Sequence, residues 1–566
     1  MKRDVNRLEG HTFDLLVIGG GIYGAAVARQ AALQGLSVAL VEKLDFGHAT
    51  SSNSLKIIHG GLRYLQGADI KRMRRSIVAR RTLLKIAPHH VKPLRFVLPT
   101  FGKFLKGRPA LFAAMFLNDL ISWDRNILVG KKHRIPRGAV LTKSELIELV
   151  PGMTLNGCTG GAVWYDAVAS NTERLTLEFV RSAVEKGASA ANYVEVTELT
   201  VENETVCGVV SLDHLTGRSL KIRAKFIINT SGPWTERVTS SGSPLTSTGR
   251  LKWAKAVNVY IRKRLFDDIA VGFYGSGGFC SRRARGASDS RVFFCVPWGN
   301  GTMIGTGYQA VSNPQEDLHV TDTDTGDLLE KFNANWPDVG LCPDDIGFCH
   351  LGLVPVVGRS PSRRGGYRLR NRSVFIDHYK RDGLRGLVSL AGVKYTTAVI
   401  EARDLVAEIC KITGHATLKK KMEKVLPGAK FHGGNDPFDF NGSKNINECS
   451  NPGLTGRLFH DYGAISRNIL SMAAGKPGML QPVDDRSNLT AAEVVYFVRE
   501  EMARKIADVL FRRTNIGWFG YPGSGFIEKC ADIIGEELGW DSKRKSAEVD
   551  DAKRFFEDLQ CRQQLR

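Results

Sequence analysis

Residues Phe13 to Glu42, FDLLVIGGGIYGAAVARQAALQGLSVALVE, constrain the fold more than any other stretch of the chain. An apolar run of strand length, Phe13 to Ile18, leads into Gly19-x-Gly21-x-x-Gly24; a small-residue helix through Leu33, a turn at Gly35 and a second apolar run from Ser37 to Val41 follow, ending on Glu42. Each glycine has its own duty. Gly19 permits a tight exit from the strand, Gly21 lets the backbone approach a pyrophosphate, and Gly24 lets helix and sheet close on each other. The unpaired N–H groups and positive dipole end of the helix then face the phosphates. Glu42 stands near the distance, about 20 residues, at which an acid accepts from a ribose 2′-OH. A glycine turn in an unrelated strand-helix unit is the plain alternative, outweighed by strand, helix and terminal acid standing in register. The residues leave FAD and NAD(P) both open, although an acid at Glu42 disfavours NADP.

A chain of 566 residues is too long for one compact core, so two or three domains are expected. The 10 cysteines are scattered singly, without metal or disulfide-framework spacing, as core or surface thiols of a cytosolic protein would be. A net charge of +21 favours polyanions, anionic membrane surfaces and anionic substrates alike. Met1 to His11 is polar and short, and no stretch reaches the roughly 18 apolar residues of a spanning helix. The expected location is therefore cytoplasmic, free or peripheral on the inner face of the cell membrane.

Beyond the fingerprint, Asp45 to Leu65 (DFGHATSSNSLKIIHGGLRYL) crowds Lys56, His59 and Arg63 into a hydroxyl-rich segment suited to line a polar ligand. Asp69 to Ala87 has helical periodicity, and its basic face is read as solvated because no aromatic interleaving or recognition module accompanies it. Phe101 to Ile121 combines apolar bulk with Lys103, Lys106 and Arg108. Two readings stay open there: an amphipathic segment lying on an anionic bilayer, and a core helix after a basic turn. Phe226 to Gly232 (FIINTSG) reads as another parallel strand ending against the cofactor, so the dinucleotide domain is assembled from separated segments. Between Leu251 and Val374, short strands with glycine turns suggest a mostly antiparallel, substrate-facing sheet. Asp322, Asp324 and Asp327 lack the glycine and terminal glutamate of a calcium loop and read instead as an acidic helix start. A strand ending near Lys394, with Thr396 and Thr397 at a helix start, is again suited to an anion. Lys419 to Gly442 reads as a linker, and helices dominate from Gly453 on.

Two functions of different class follow from these residues: an oxidoreductase with a bound dinucleotide and a small anionic substrate, or a basic dinucleotide-holding protein with a structural or nucleic-acid-binding role. Lys56, His59, Arg63 and Lys394 all leave cofactor-type elements, whereas no helix-turn-helix, zinc finger or stacking sheet is present in the sequence. The enzyme is therefore preferred, with no nucleic-acid partner.

Together GGGIYG, DFGHATSSNSLKIIHGGLRYL, APHHVKPLRF, NTSGPW, VKYTTA and YFVREEMARKIADVLFRRT resemble the FAD-dependent glycerol-3-phosphate dehydrogenase family, from Phe13 to about Trp540. The resemblance implies an α/β fold in three parts: a Rossmann-like FAD-binding domain from the discontinuous segments 12–100, 160–245 and 375–415, a mainly antiparallel-sheet substrate domain from 101–159 and 246–374, and a C-terminal helical domain from 440–566. It also implies hydride transfer from C2 of sn-glycerol 3-phosphate to flavin N5, giving dihydroxyacetone phosphate, with electrons passed on to membrane quinone or to oxygen. Peripheral membrane attachment and a homodimer are common in such proteins. By matching motifs, Gly19, Gly21, Gly24 and Glu42 would hold the ADP half of FAD, and Thr50, Ser51, Ser52, Lys56, His59, Gly60, Gly61, Gly232 and Thr396 the remainder. Arg63, Tyr64, Arg372 and Lys394 would border the substrate, and no metal is implied.

The sequence departs from the family pattern around one pocket. The histidine expected beside the substrate hydroxyl is Asn258, which can orient a hydroxyl but cannot act as a base at neutral pH. The arginine of a glycine-x-arginine-proline motif is Val354; Gly305-Thr306-Gly307-Tyr308 replaces a glycine-threonine-threonine-aspartate motif; and Ala391 replaces a glycine. These changes open a second expectation within the family, a different anionic secondary alcohol. They also leave the proton relay to His59 or His350.

Overall fold

The computed structural model describes residues 1–101, 108–241, 251–275, 291–311, 318–359, 367–416, 424–430, 452–485 and 487–564. Thr12–Ile18, the strand of the fingerprint, is the centre of the first sheet. Its successive side chains are buried on both faces: Leu15 and Val17 join one core, while Phe13, Leu16 and Ile18 join another. A strand covered on both sides is apolar along its buried length, here Leu15 to Ile18, while Asp14 near its start is half-buried and paired with Ser37 and Lys225. The sheet runs Val374–Asp377, Leu387–Ala391, Ser219–Asn229, Thr12–Ile18, Val38–Val41, Ser189–Ala191. Its four inner pairings are parallel, and Val374–Asp377 closes one edge antiparallel. The hairpin of Val194–Glu202 and Thr205–Asp213 extends it from Ser219–Asn229.

Alanines let the helix Ile22–Leu33 press close to its neighbours. Ala25, Ala28 and Ala31 are fully buried in the core shared with Thr172–Val184 and Ala398–Ile412.

The second sheet runs Tyr367–Leu369, Ile346–Arg359, Lys252–Ile261, Gly301–Val311, Val292–Trp298, Ile269–Tyr274, Val91–Phe101, Cys158–Ala169, Ile57–Ile58. Every pairing in that order is antiparallel except Ile269–Tyr274 with Val91–Phe101. Here the expected boundaries need correction. Ile57–Ile58, Val91–Phe101 and most of Cys158–Ala169 fall in segments assigned from sequence to the dinucleotide domain, yet they pair in the second sheet. Such strands are apolar enough for either sheet, and only the long-range pairing decides which they join.

Asp322–Asn333 is a helix whose start carries a capping box between Thr321 and Asp324, in agreement with the acidic-turn reading. The C-terminal part is helical, including Pro452–Tyr462, Ala491–Glu500, Ser524–Leu538 and Ser542–Gln564. Buried ion pairs fasten it to the dinucleotide domain: Arg174 donates from both terminal nitrogens to Glu501 at 2.8 Å, and Arg513 donates to Asp45 and, at 2.6 Å, to the Glu501 carbonyl. Much of the expected linker, Lys419 to Gly442, lies outside the described residues. Residues 424–430 within it are packed, with Leu426 fully buried and the Gly428 N–H donating to Glu178 at 3.1 Å.

Candidate active site

The glycine fingerprint opens a cavity of about 1750 Å³ that runs along the ends of both sheets. Gly19 has φ +96°, and a Cβ there would meet the Ser231 backbone at 2.9 Å. A Cβ on Gly24 would stand 1.8 Å from the Gly19 carbonyl, so helix and strand meet only because this residue is glycine. The Ile22 N–H donates to Ser51 Oγ at 2.9 Å, anchoring the following loop to the helix start. Glu42 lines the cavity, its two oxygens accepting from the Gly20 N–H at 2.6 Å and the Leu44 N–H at 3.0 Å. Gly21, Ser51 and Gly232 line the same stretch, and the fingerprint helix carries no side-chain cap. A helix N-terminus with no side-chain cap from Gly21, glycine backbone and an oriented carboxylate make a cradle that fits a dinucleotide pyrophosphate and ribose.

The loop after the fingerprint is zipped onto the second sheet. Thr50 Oγ1 accepts from the Leu353 N–H at 2.9 Å and donates to the Leu353 carbonyl at 3.2 Å, and Asn53 accepts from the Leu351 N–H at 3.2 Å. Behind this loop, Lys56 is almost wholly buried. Its ammonium donates to Ser52 O at 2.7 Å, Thr172 Oγ1 at 2.9 Å and Glu173 Oε1 at 2.7 Å. With all three ammonium hydrogens used on protein groups, Lys56 braces the loop, although part of the residue lines the cavity.

Four further expected residues stand behind the wall. The Ser52 hydroxyl donates to the Gly47 carbonyl. Gly60 backs onto Arg80 and Asp166, where a Cβ would fall 2.3 Å from Arg80 Nη1. His350 is fully buried with its ring 4.7 Å from that of Trp518, and burial together with the Lys56 charge holds its pKa well below the ordinary value. A neutral ring with no access to the cavity cannot relay a proton from it. Arg372 is exposed and does not itself line the cavity, although its charge acts on Arg72; Arg368 and Arg370 of the same segment line the wall.

The groups that do face the cavity form two clusters. In the first, the Tyr64 ring meets two cations, Arg72 Cζ at 3.9 Å and Lys394 Nζ at 4.3 Å from its centroid. Arg63 lines the wall beside them. Burial and then the Arg63 charge bring the Lys394 pKa down to about 8. Arg72 belongs to the helix Ile70–Ile86, whose basic face reads from sequence as solvated; the missing signal is that Tyr64 lies directly above it.

In the second cluster, His59 Nδ1 lies 3.6 Å from Asp166 Oδ2, while the His59 backbone N–H donates to Thr396 Oγ1 at 3.2 Å. Asp166 also accepts from the Gly60 N–H at 2.5 Å, from Trp164 Nε1 at 3.3 Å and from Arg80. Burial pushes its pKa up, but the His59 hydrogen bond and the Arg80 charge prevail and keep it below the usual carboxylate value. Asn258 completes the wall. Thr306 donates its hydroxyl to Asn258 Oδ1 at 2.7 Å, and a Cβ on Gly305 would stand 2.1 Å from that oxygen. With its carbonyl oxygen taken, Asn258 offers a ligand its amide hydrogens. Val354 lines the cavity as an apolar residue.

A stack of cations on an aromatic ring, a histidine backed by a carboxylate and a dinucleotide cradle thus share one cavity. A family model described as FAD-dependent oxidoreductase matches residues 14–419, and the C-terminal domain of alpha-glycerophosphate oxidase matches residues 426–545. The glycerol-3-phosphate dehydrogenase of Synechocystis sp. is 28% identical over 98% of this chain and 98% of its own length. A probable mitochondrial glycerol-3-phosphate dehydrogenase of Caenorhabditis elegans is 30% identical over 98% of this chain and 74% of its own. The structure of the Bacillus halodurans glycerol-3-phosphate dehydrogenase complexed with FAD has the same fold, with a TM-score of 0.73 at 24% identity, covering 98% of this chain and 96% of that one. The cradle built on Gly19, Gly21 and Glu42 is accordingly an FAD site, and the chain belongs to the FAD-dependent glycerol-3-phosphate dehydrogenase family of oxidoreductases.

Proposed function

We propose that this enzyme oxidises the C2 hydroxyl of sn-glycerol 3-phosphate, giving dihydroxyacetone phosphate, and passes the electrons to a membrane quinone. The observation that carries the reading is the Arg72–Tyr64–Lys394 stack, with Arg63, in the same cavity as His59 and Asn258. A phosphomonoester calls for several cationic donors held in fixed positions. Tyr64 supplies this rigidity, because its ring attracts both cations and holds them near one another. His59 takes the hydroxyl proton, and the Asp166 carboxylate behind it steadies the imidazolium that results. Asn258 donates to the substrate oxygen and helps hold C2 in place. FAD, when bound, supplies the hydride acceptor.

The exchanges at Asn258 and Val354 support a second reading within the family: the same scaffold acting on another anionic secondary alcohol. One experiment decides between the two. Holoenzyme is mixed anaerobically with glycerol 3-phosphate, polyol phosphates and 2-hydroxy acids, and flavin bleaching is followed. Rapid bleaching by glycerol 3-phosphate is expected; slow bleaching by it beside rapid bleaching by another compound would move the assignment to that compound.

A peripheral location on an anionic membrane face belongs to the same proposal. The helix Arg108–Ile121 supports it, since Phe112 and Phe116 are 67% exposed and Trp123, just beyond, is 72% exposed. Lys103 and Lys106 of the expected interfacial segment lie outside the described residues.

A further inference from the structure

One face of the second sheet carries a row of residues of which the reaction on glycerol 3-phosphate uses only the first, Asn258. From the reaction centre the row passes from Asn258 to its partner Gly305, then to Phe294, Gly272, Leu98 and Ala162, taking one residue from each of six adjacent strands. Register links Asn258 to Gly305, Gly305 to Phe294, Phe294 to Gly272 and Leu98 to Ala162, and a Cβ on Gly272 would meet Leu98 Cδ1 at 2.8 Å. After Asn258 the row has no polar side chain; Gly305 keeps the floor low between Asn258 and Phe294, and over Gly272 the side chains of Phe294 and Leu98 come together.

Leu111 and Met115 of the helix Arg108–Ile121 line the far end of the cavity, while Phe112, Phe116 and Leu120 of the same helix are exposed. The helix is therefore apolar on the side that closes the row and apolar again towards the outside.

We infer that the row holds a hydrocarbon chain carried by the substrate itself, so that the preferred substrates are glycerol 3-phosphates bearing an alkyl or acyl chain on O1. The order of chemistry along the cavity matches such a molecule. The anion belongs at Arg63, Tyr64 and Lys394, the free C2 hydroxyl at His59 and Asn258, and the C1 substituent on Gly305, Phe294 and Leu98. Oxidation changes only the C2–H and O–H bonds, so a chain on O1 survives the reaction and the product is the correspondingly substituted ketone phosphate. This inference rests on the proposed oxidation at C2 and names the substrate class of that same site.

The test uses holoenzyme and 1-O-alkyl glycerol 3-phosphates from methyl to octyl, kept monomeric in solution, with anaerobic flavin bleaching as one readout. Quenching of tryptophan fluorescence by alkyl phosphates that lack a hydroxyl is a second, independent of turnover. Each methylene drawn onto the row should tighten apparent binding about fourfold until the row is filled. Ala114→Trp, which narrows the end of the cavity, should flatten that slope in both readouts. Should the variant fail to fold, the slope in the native protein still decides. Bleaching by glycerol 3-phosphate with no dependence on chain length would overturn the inference and leave the proposed function standing. So would chain-independent binding together with competition between alkyl phosphates and a quinone analogue, which would assign the row to the electron acceptor. Absence of bleaching by every member of the series would remove the proposed function and this inference with it.

Discussion

Lys394→Met tests the anion stack quantitatively. Lys394 stands 4.3 Å above Tyr64 with its pKa lowered to about 8 by burial and by Arg63. Removing one charged donor to a phosphate costs about 1.5–3 kcal/mol, so the half-saturating glycerol 3-phosphate concentration should rise about ten- to a hundredfold. The pH dependence is more telling. A lysine of pKa about 8 is protonated in most molecules at pH 7 and in about a tenth of them at pH 9, and only the cation attracts the phosphate. The substrate is already dianionic across this window, its second ionisation lying near pH 6. Native enzyme should therefore lose about tenfold in affinity between pH 7 and pH 9, and the variant should show no such loss. Anaerobic stopped-flow reduction at fixed ionic strength measures both. An identical pH slope in the two proteins would refute the assignment of Lys394 to the phosphate, whatever the size of the affinity loss.

Three further outcomes follow. His59→Gln should slow flavin reduction by about 10²- to 10⁴-fold with little change in half-saturation, and Asp166→Asn should slow it less while moving the pH profile; an unaltered rate in His59→Gln would exclude it as the base. Glu173→Gln leaves the Lys56 ammonium buried without its counter-charge and should cost about 3–5 kcal/mol of stability; a melting temperature equal to that of native holoenzyme would contradict the structural role given to Lys56. Phe116→Asp with Trp123→Asp should lower recovery on anionic vesicles at low salt, and native recovery should itself fall as salt rises. Equal recovery of native and variant protein would remove the helix Arg108–Ile121 from the membrane contact.

The cofactor half of the site was legible in the sequence because its constraints are local. Gly19, Gly24 and Glu42 act within one strand-helix-strand unit, and the structure shows each in contact with neighbours from that unit: the Gly19 carbonyl beside Gly24, and the Gly20 N–H on Glu42. The substrate half is assembled from pairings across the chain, which the sequence does not display. Arg368 and Arg370 line the cavity, whereas Arg372 lies in the bend after the strand Tyr367–Leu369, exposed but close enough for its charge to act on Arg72. Lys56 and His350 looked catalytic by residue type. Burial decided otherwise, committing one to Glu173 and the other to Trp518. Arg72 escaped notice because a basic helix face is usually solvated, and nothing nearby in sequence announces that Tyr64 will cover it.

The departures at Asn258 and Val354 were visible in the sequence, and the structure adds their consequence. Thr306 orients the amide by donating to its carbonyl oxygen, and an amide, which is not basic at neutral pH, can hold a substrate oxygen but cannot take its proton. The base in the proposed reaction is therefore His59, backed by Asp166.

Oxidation at C2 is the central claim, and a single anaerobic turnover with glycerol 3-phosphate carrying deuterium at C2 tests it most directly. The account predicts one ketone phosphate formed per flavin bleached, with bleaching slower than for the protiated substrate. Bleaching that is insensitive to the deuterium and yields no ketone would contradict it.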